Sequence, residues 1–126
     1  AMTAHVVFTA YDEAAPATLS RKVIDDVIRG DIGFDGLLMT DDLSMKALAG
    51  SFQDRSNAAL AAGCDILLHC NGDMAEMQAV AEAAPQLEGK ARGRAEAAIA
   101  QLRDVAQLDV AAEEQRFAEL LKPVMA

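Results

Sequence analysis

Apolar residues along the first 85 positions alternate between short runs and stretches with helical spacing. The short runs predict three strands, at residues 2–8, 37–40 and 66–68, and each run is followed by a segment with one apolar helical face. Strands that recur about every 30 residues, each followed by a helix, are typical of right-handed βαβ crossovers. The pattern therefore predicts an α/β chain with parallel strands.

Capping residues and glycines mark the ends of the first two predicted helices. Ser20 is a predicted N-cap, and the first helix is expected to end at Gly30. Ser51, with Asp54 three residues later, resembles a capping box for a second helix that runs to Gly63. These signals place each helix directly after a strand and its loop.

Three more helices are predicted in the second half of the chain. One follows residues 71–73, which are predicted to form a turn and an N-cap, and runs to about Ala84, where Pro85 closes it. Two amphipathic helices follow, at residues 91–106 and 110–121. We expect one continuous folded region without a linker or a second domain.

Charge excludes two classes of partner. The chain has 126 residues, a formal net charge of −9 and 52% hydrophobic residues. An acidic chain without a Lys/Arg cluster repels phosphate backbones and anionic lipids, and its apolar runs are far shorter than a membrane span. We therefore expect neither nucleic acid nor a membrane as a partner.

The two cysteines flank the third predicted strand. At about 3.3 Å per residue, Cys64 and Cys70 would lie about 20 Å apart, which is far beyond disulfide reach. Reduced thiols favour a cytoplasmic location.

Polar side chains follow the apolar runs at their carboxyl ends. Asp41 and Asp42 follow the second strand, residues 69–71 follow the third, and His5 lies inside the first. The carboxyl ends of parallel strands are where α/β enzymes gather their chemistry. Two structural alternatives remain open: Asp41 or Asp42 caps the next helix, and His5 is a buried histidine with its hydrogen bonds satisfied.

Neither a metal nor a cofactor is predicted. His5, Asp41, Asp42 and His69 offer metal-ligating atoms, but the sequence has no His-x-x-x-His pair and no Cys-x-x-Cys. The glycines between residues 30 and 36 precede a strand, whereas a phosphate-binding loop must join a strand to a helix. We expect these glycines to terminate a helix and turn the chain.

One segment carries a family resemblance. Residues 33–45, with the sequence GFDGLLMTDDLSM, resemble the nucleophile segment of β-N-acetylglucosaminidases of glycoside hydrolase family 3. Residues 2–6 resemble the preceding barrel strand of that family, residues 16–20 its following loop, and residues 61–65 its last barrel strand. The resemblance is in order and covers about residues 1–85.

This resemblance implies a fold. The chain would be the C-terminal portion of the barrel domain of a family 3 glycoside hydrolase, a partial (β/α)₈ TIM barrel. About three βα units with parallel strands would occupy residues 1–85, and two C-terminal helices would occupy residues 86–126.

The resemblance also implies an activity and site residues. The enzyme would remove terminal β-N-acetylglucosamine with retention of configuration, from peptidoglycan fragments during cell-wall recycling. Carried over by position, Asp41 would be the catalytic nucleophile. Asp42 would be a supporting residue, and His5 and Met45 would be substrate-binding residues.

Parts of the family's active site are missing from this sequence. The acid/base motif Asp-Ser-His and the sugar-binding Lys-His element are absent, so we expect the isolated chain to be inactive. An incomplete barrel also exposes strand edges and an apolar face. We therefore expect the isolated chain to self-associate.

Two other function classes fit parts of the pattern. A Mg²⁺-dependent phospho-acceptor receiver domain has a similar length and acidic residues at strand ends, but it needs five βα units and three strands are predicted. An interaction module would bind through the acidic helices at residues 91–121, which look like an ordinary solvated pair.

Overall fold

The structure, a computed structural model, describes residues 1–103 and 107–122 and has an α/β architecture. Strands β1 (Met39–Asp42) and β2 (Ile66–Leu68) form a parallel two-stranded sheet. The helical elements are a 3₁₀ turn (Ala17–Leu19), a π-helix (Val23–Asp31), α1 (Phe52–Ala62), α2 (Met74–Ala83), α3 (Gly89–Ile99) and α4 (Val110–Leu121). The predicted α/β class and the parallel strand order are confirmed.

The first predicted strand forms only at its start, so the prediction of residues 2–8 is wrong over most of that length. Met2 makes a single parallel bridge to Met39, and the Thr3 N–H donates to the Met39 carbonyl at 2.9 Å. The carbonyls of residues 4 and 6 then accept from the N–H groups of residues 18 and 17. Because its backbone bonds to the 3₁₀ turn instead of β1, the chain leaves the sheet after residue 3. The apolar side chains left exposed are Val6, Val7 and Phe8.

The second predicted strand is displaced by two residues. The Leu38 carbonyl accepts from the N–H groups of Asp65 and Ile66, at 2.8 and 3.2 Å, so pairing with β2 begins beside it. The register then joins Met39 to Ile66 and Asp42 to Leu68, with an irregularity between these pairs. Asp41 and Asp42 therefore lie inside the end of β1 instead of after it.

The sheet packs on the helices through buried apolar side chains. Leu38 is buried in a cluster with side chains of the π-helix and α1, and Leu67 packs against it from β2. A second cluster joins the loop after β1 to α2. The buried members of the two clusters are Ile24, Leu38, Ala59, Ala62 and Cys64 in the first, and Leu43, Leu48 and Val80 in the second. The ends of β1 and β2 are thereby held against α1 and α2.

The first predicted helix is capped as expected but ends later. Ser20 Oγ accepts a hydrogen bond from the Val23 N–H at 3.0 Å. The helix continues past Gly30 to Asp31, and the residue in the left-handed region is Gly33, with φ 71°. Hydrogen bonds to the fifth preceding residue make this a π-helix. The predicted stop at Gly30 is therefore wrong, because the left-handed turn comes three residues later.

Helices α1 and α2 form where their caps predict. Ser51 and Asp54 exchange the two hydrogen bonds of a capping box, and Gly63 ends α1 with φ 115°. Asp73 caps α2 by accepting from the N–H groups of residues 75 and 76. Both predicted helices are confirmed.

The C-terminal helices carry no buried residue, although both lie within the described part of the chain. Helix α3 is shorter than the prediction for residues 91–106, and residues 104–106 of that prediction lie outside the described residues. Helix α4 has the predicted bounds. Between residues 1 and 103 and between 107 and 122, no helix is long and apolar enough to cross a membrane.

Candidate active site

Asp41 lies at the carboxyl end of β1 and is half-buried. Its Oδ1 atom accepts a hydrogen bond from the Asp42 N–H at 2.8 Å. Within residues 1–103 and 107–122, no side chain hydrogen-bonds to Asp41 or forms an ion pair with it. One carboxylate oxygen is thus oriented by the backbone, and the other has no hydrogen-bond partner among the described residues.

Asp42 has the opposite character, because its carboxylate is fully engaged. Its Oδ2 accepts from the Ser44 hydroxyl at 2.5 Å, and its Oδ1 accepts from the N–H groups of Ser44 and Cys70 at 2.9 and 3.1 Å. The Ser44 hydroxyl is the largest cause that lowers the pKa of Asp42, and partial burial opposes it. Asp42 therefore ties the end of β1 to the end of β2.

His5 contacts the backbone carbonyl of Asp42. Its Nε2 lies 2.9 Å from the Asp42 carbonyl oxygen, and its Nδ1 lies 2.8 Å from Thr18 Oγ1. A carbonyl only accepts, so Nε2 must carry a proton and donate it. Both ring nitrogens are therefore engaged within the chain, which is the bonding of the satisfied histidine that the sequence left open.

Met45 lies in the turn that follows β1, and its side chain is exposed. The Met45 N–H donates to the Asp42 carbonyl at 3.1 Å. Arg55 on α1 holds this turn, since its Nη1 donates to the carbonyls of Leu43 and Met45 at 2.7 and 3.4 Å, and its Nε donates to Gly50 at 3.1 Å. No local pattern in the sequence points to Arg55, because any residue supplies a backbone carbonyl as an acceptor.

His69 follows β2, but it packs toward the helices. Its side chain is 5% exposed, its ring meets the Phe52 ring edge-on at 5.2 Å, and Nε2 lies 3.4 Å from Glu76 Oε2. Neither ring nitrogen has a hydrogen-bond partner among the described residues. A cavity of 560 Å³ between β2 and α2 includes His69 in its lining and does not include Asp41.

The structure thus brings together Asp41, Asp42 and His5 at one strand end, with Met45 in the adjoining turn. His69 is engaged elsewhere. Residues 1–103 and 107–122 contain no group of three or more His, Cys, Asp or Glu side chains arranged to hold a metal ion. Of the two carboxylates at this strand end, Asp41 is the one without a side-chain partner among the described residues.

Comparison with known proteins gives a family match over most of the chain. The profile of the glycosyl hydrolase family 3 N-terminal domain matches residues 1–105. The β-hexosaminidase of Tolumonas auensis is 49% identical over 72 residues, which are 56% of this chain and 21% of that protein. The β-hexosaminidase of Chromobacterium violaceum is also 49% identical over 72 residues, 20% of its length. The chain therefore spans about a fifth of the length of these relatives.

Solved structures of similar enzymes also superimpose on this chain. The β-N-acetylglucosaminidase of Thermotoga maritima superimposes with a TM-score of 0.66 and 30% identity, over 82% of this chain and 25% of that one. The β-N-acetylhexosaminidase of Beutenbergia cavernae gives a TM-score of 0.61 and 35% identity, over 77% of this chain and 32% of that one.

Proposed function

The chain belongs to glycosyl hydrolase family 3, and on that premise we propose that it supplies the nucleophile segment of a retaining β-N-acetylhexosaminidase. One observation carries the proposal. The Asp41 carboxylate lies at the carboxyl end of β1, has no ion-pair partner among the described residues, and is oriented through one oxygen only. A nucleophilic carboxylate must be charged and accessible in this way.

The chemistry follows from that arrangement. The free oxygen of Asp41 would attack the anomeric carbon as the bond to the leaving oxygen breaks, and the product would be a covalent glycosyl-enzyme. Water would then displace Asp41 from the same carbon and restore the starting configuration. Both steps need a second group that first protonates the leaving oxygen and then deprotonates the water.

We propose that this second group lies outside the present sequence. His5 is bonded through both ring nitrogens, and His69 packs against Phe52. The Asp-Ser-His and Lys-His elements of the family do not occur in the chain. The isolated chain is therefore expected to be inactive.

We also propose the finer fold assignment, a partial (β/α)₈ barrel in which residues 1–85 form about three βα units. Its support is the strand order, since the bridge at Met2 puts β1 between the N-terminal segment and β2. Strand edges and exposed apolar side chains such as Val6, Val7 and Phe8 support self-association of the isolated chain. Light scattering tests this, because a monomer at high concentration would contradict it.

We also propose a substrate and a location. Terminal N-acetylglucosamine of peptidoglycan fragments is the proposed substrate, supported by the nucleophile segment at residues 33–45. A cytoplasmic location is supported by Cys64 and Cys70, which are both free thiols.

Hydrolysis of 4-nitrophenyl N-acetyl-β-glucosaminide tests the activity. The protein at its native length should release nitrophenolate, and Asp41→Ala should reduce kcat by on the order of 10⁴-fold or more. Asp26→Ala is the matched control, because Asp26 is an exposed carboxylate on the π-helix. The 126-residue chain should show negligible turnover.

Azide distinguishes a nucleophile from a structural carboxylate. In Asp41→Ala, azide can enter the space that the carboxylate leaves, form a bond to the anomeric carbon and displace nitrophenolate. The expected product is the α-glycosyl azide. Wild-type turnover in Asp41→Ala would refute the role of Asp41, and no turnover by the native-length protein would refute the activity.

A further inference from the structure

The peptide group between Asp42 and Leu43 is held from both sides. Its N–H, on Leu43, donates to the Leu68 carbonyl of β2 at 2.9 Å. Its carbonyl, on Asp42, accepts from His5 Nε2 at 2.9 Å and from the Met45 N–H of the following turn at 3.1 Å. Neighbouring segments on both sides of β1 therefore fix the orientation of this peptide.

The His5 ring takes the place of a missing backbone donor. The N-terminal segment pairs with β1 only through Met2 and Thr3, and the backbone of residues 4–6 then bonds to the 3₁₀ turn. From that side, the donor that reaches the Asp42 carbonyl is the imidazole N–H. A side chain thus extends the strand contact to the level of Asp41.

From this geometry we infer that His5 is a positioning residue for Asp41 and acts through Asp42. His5 fixes the Asp42 carbonyl, and the N–H of the same residue fixes Asp41 Oδ1 at 2.8 Å. The inference rests on the proposed function, because it assigns His5 a part in the reaction of Asp41. It replaces the expectation that His5 binds the substrate.

Two buried hydroxyls hold the ring in its donating form. Thr18 Oγ1 lies 2.8 Å from His5 Nδ1 and 2.8 Å from Thr3 Oγ1. In the neutral ring Nε2 carries the proton, so Nδ1 accepts from the Thr18 hydroxyl, which in turn accepts from the Thr3 hydroxyl. Thr3 and Thr18 are both buried, which keeps this order of donors away from competing water.

Kinetics of two His5 variants test the inference in the protein at its native length. His5→Leu removes the imidazole donor and leaves the Asp42 carbonyl with the Met45 N–H alone, whereas His5→Gln keeps an amide N–H close to the place of Nε2. Misplacing a reacting group by about 1 Å costs about 100-fold, so His5→Leu should lower kcat by about 10- to 100-fold with KM changed less than about threefold. His5→Gln should restore most of kcat.

The azide reaction separates positioning from substrate binding. In Asp41→Ala the nucleophile is azide, so the orientation of Asp41 no longer matters. If His5 acts only through Asp41, then adding His5→Leu to Asp41→Ala should leave the azide-rescued rate unchanged within about twofold. A rate lowered equally in both backgrounds would overturn the inference in favour of a role in binding or in the general fold.

An NMR measurement on the 126-residue chain keeps the inference testable without activity. The His5 ring should show a proton on Nε2, and His5→Leu should shift the Asp42 amide resonance while His5→Gln leaves it near its original place. An unmoved Asp42 amide, or unchanged kcat in His5→Leu, would overturn the positioning role. An inactive native-length protein whose Asp42 amide still responds to His5→Leu would count against the proposed function alone.

Discussion

Replacing Arg94 with Ala should destabilise the folded chain by about 2–3 kcal/mol, because a charge-assisted hydrogen bond contributes about 1.5–3 kcal/mol. Arg94 Nη1 donates to Asp65 at 3.0 Å, and both side chains are largely buried, with 16% and 6% exposed. Arg94 also pairs with Asp35. That carboxylate is 86% exposed, so solvent screens the pair and it adds little.

The decrease in the free energy of unfolding should be smaller than the roughly 3–5 kcal/mol that is lost when a buried charge loses its last partner. Asp65 keeps two other donors, Arg29 Nη2 at 3.0 Å and the Leu38 N–H at 2.9 Å. Helix α3 has no buried residue, so Arg94 is its main polar anchor to the body of the fold. Removing Arg94 should therefore release α3 as well as lower the free energy of unfolding.

Arg92 provides a matched control on the same helix. Its pair with Glu96 is exposed on both sides, with 67% and 63% of the side chains accessible. Arg92→Ala should change the free energy of unfolding by less than about 0.5 kcal/mol. Urea unfolding followed by circular dichroism measures both variants, with equal m-values required for the comparison.

A second measurement follows the pKa of Asp35, the carboxylate that loses its Arg94 partner. The hydrogen bond from Arg94 is the largest cause that holds the pKa of Asp35 below its ordinary value of 3.8. In Arg94→Ala the pKa of Asp35 should therefore rise toward that value, as seen in NMR titration. If Arg94→Ala and Arg92→Ala unfold at the same urea concentration, the reasoning about this anchor is refuted.

Two further predictions concern Asp42 and the two cysteines. The hydrogen bond from the Ser44 hydroxyl holds the pKa of Asp42 below 3.8. The unfolded state therefore binds a proton at Asp42 more readily than the folded state does. The stability that the charged carboxylate contributes is lost as pH falls from about 4 toward the folded pKa. Asp42→Asn should be less stable at pH 7, and its deficit should shrink under acid; a deficit independent of pH would contradict this. For the thiols, burial raises the pKa of Cys64 to about 11, whereas Cys70 is exposed. A disulfide reagent at pH 8 should modify one thiol per native chain, and Cys70→Ser should abolish that reaction; rapid modification of Cys64 would contradict its burial.

Features that depend on neighbours in sequence were predictable. The capping box of Ser51 and Asp54, the left-handed Gly63 and the cap at Asp73 each join residues only a few positions apart, so the residue types reveal the structure. Residues 33–45, which resemble the family's nucleophile segment, are equally contiguous, and the resemblance agrees with the family match. Whether Asp41 is the nucleophile stays a prediction until the kinetic test.

Some errors came from hydrogen bonds that compete with the expected pairing. An apolar run such as residues 6–8 predicts a strand, yet the neighbouring backbone bonds to the 3₁₀ turn and leaves those side chains exposed. The helix end predicted at Gly30 is wrong because the π-helix reaches Asp31 before Gly33 reverses the chain. Local residue types did not distinguish these outcomes.

By itself, the sequence determined the α/β class, the helix caps and the position of the acidic pair at the end of an apolar run. Only the tertiary structure decided that His5 spans 37 positions to the Asp42 carbonyl and that Arg94 spans 59 positions to Asp35. The physical reason is that backbone carbonyls and exposed carboxylates are offered all along the chain. Which of them a long side chain meets depends on how the helices pack, and no local pattern records that.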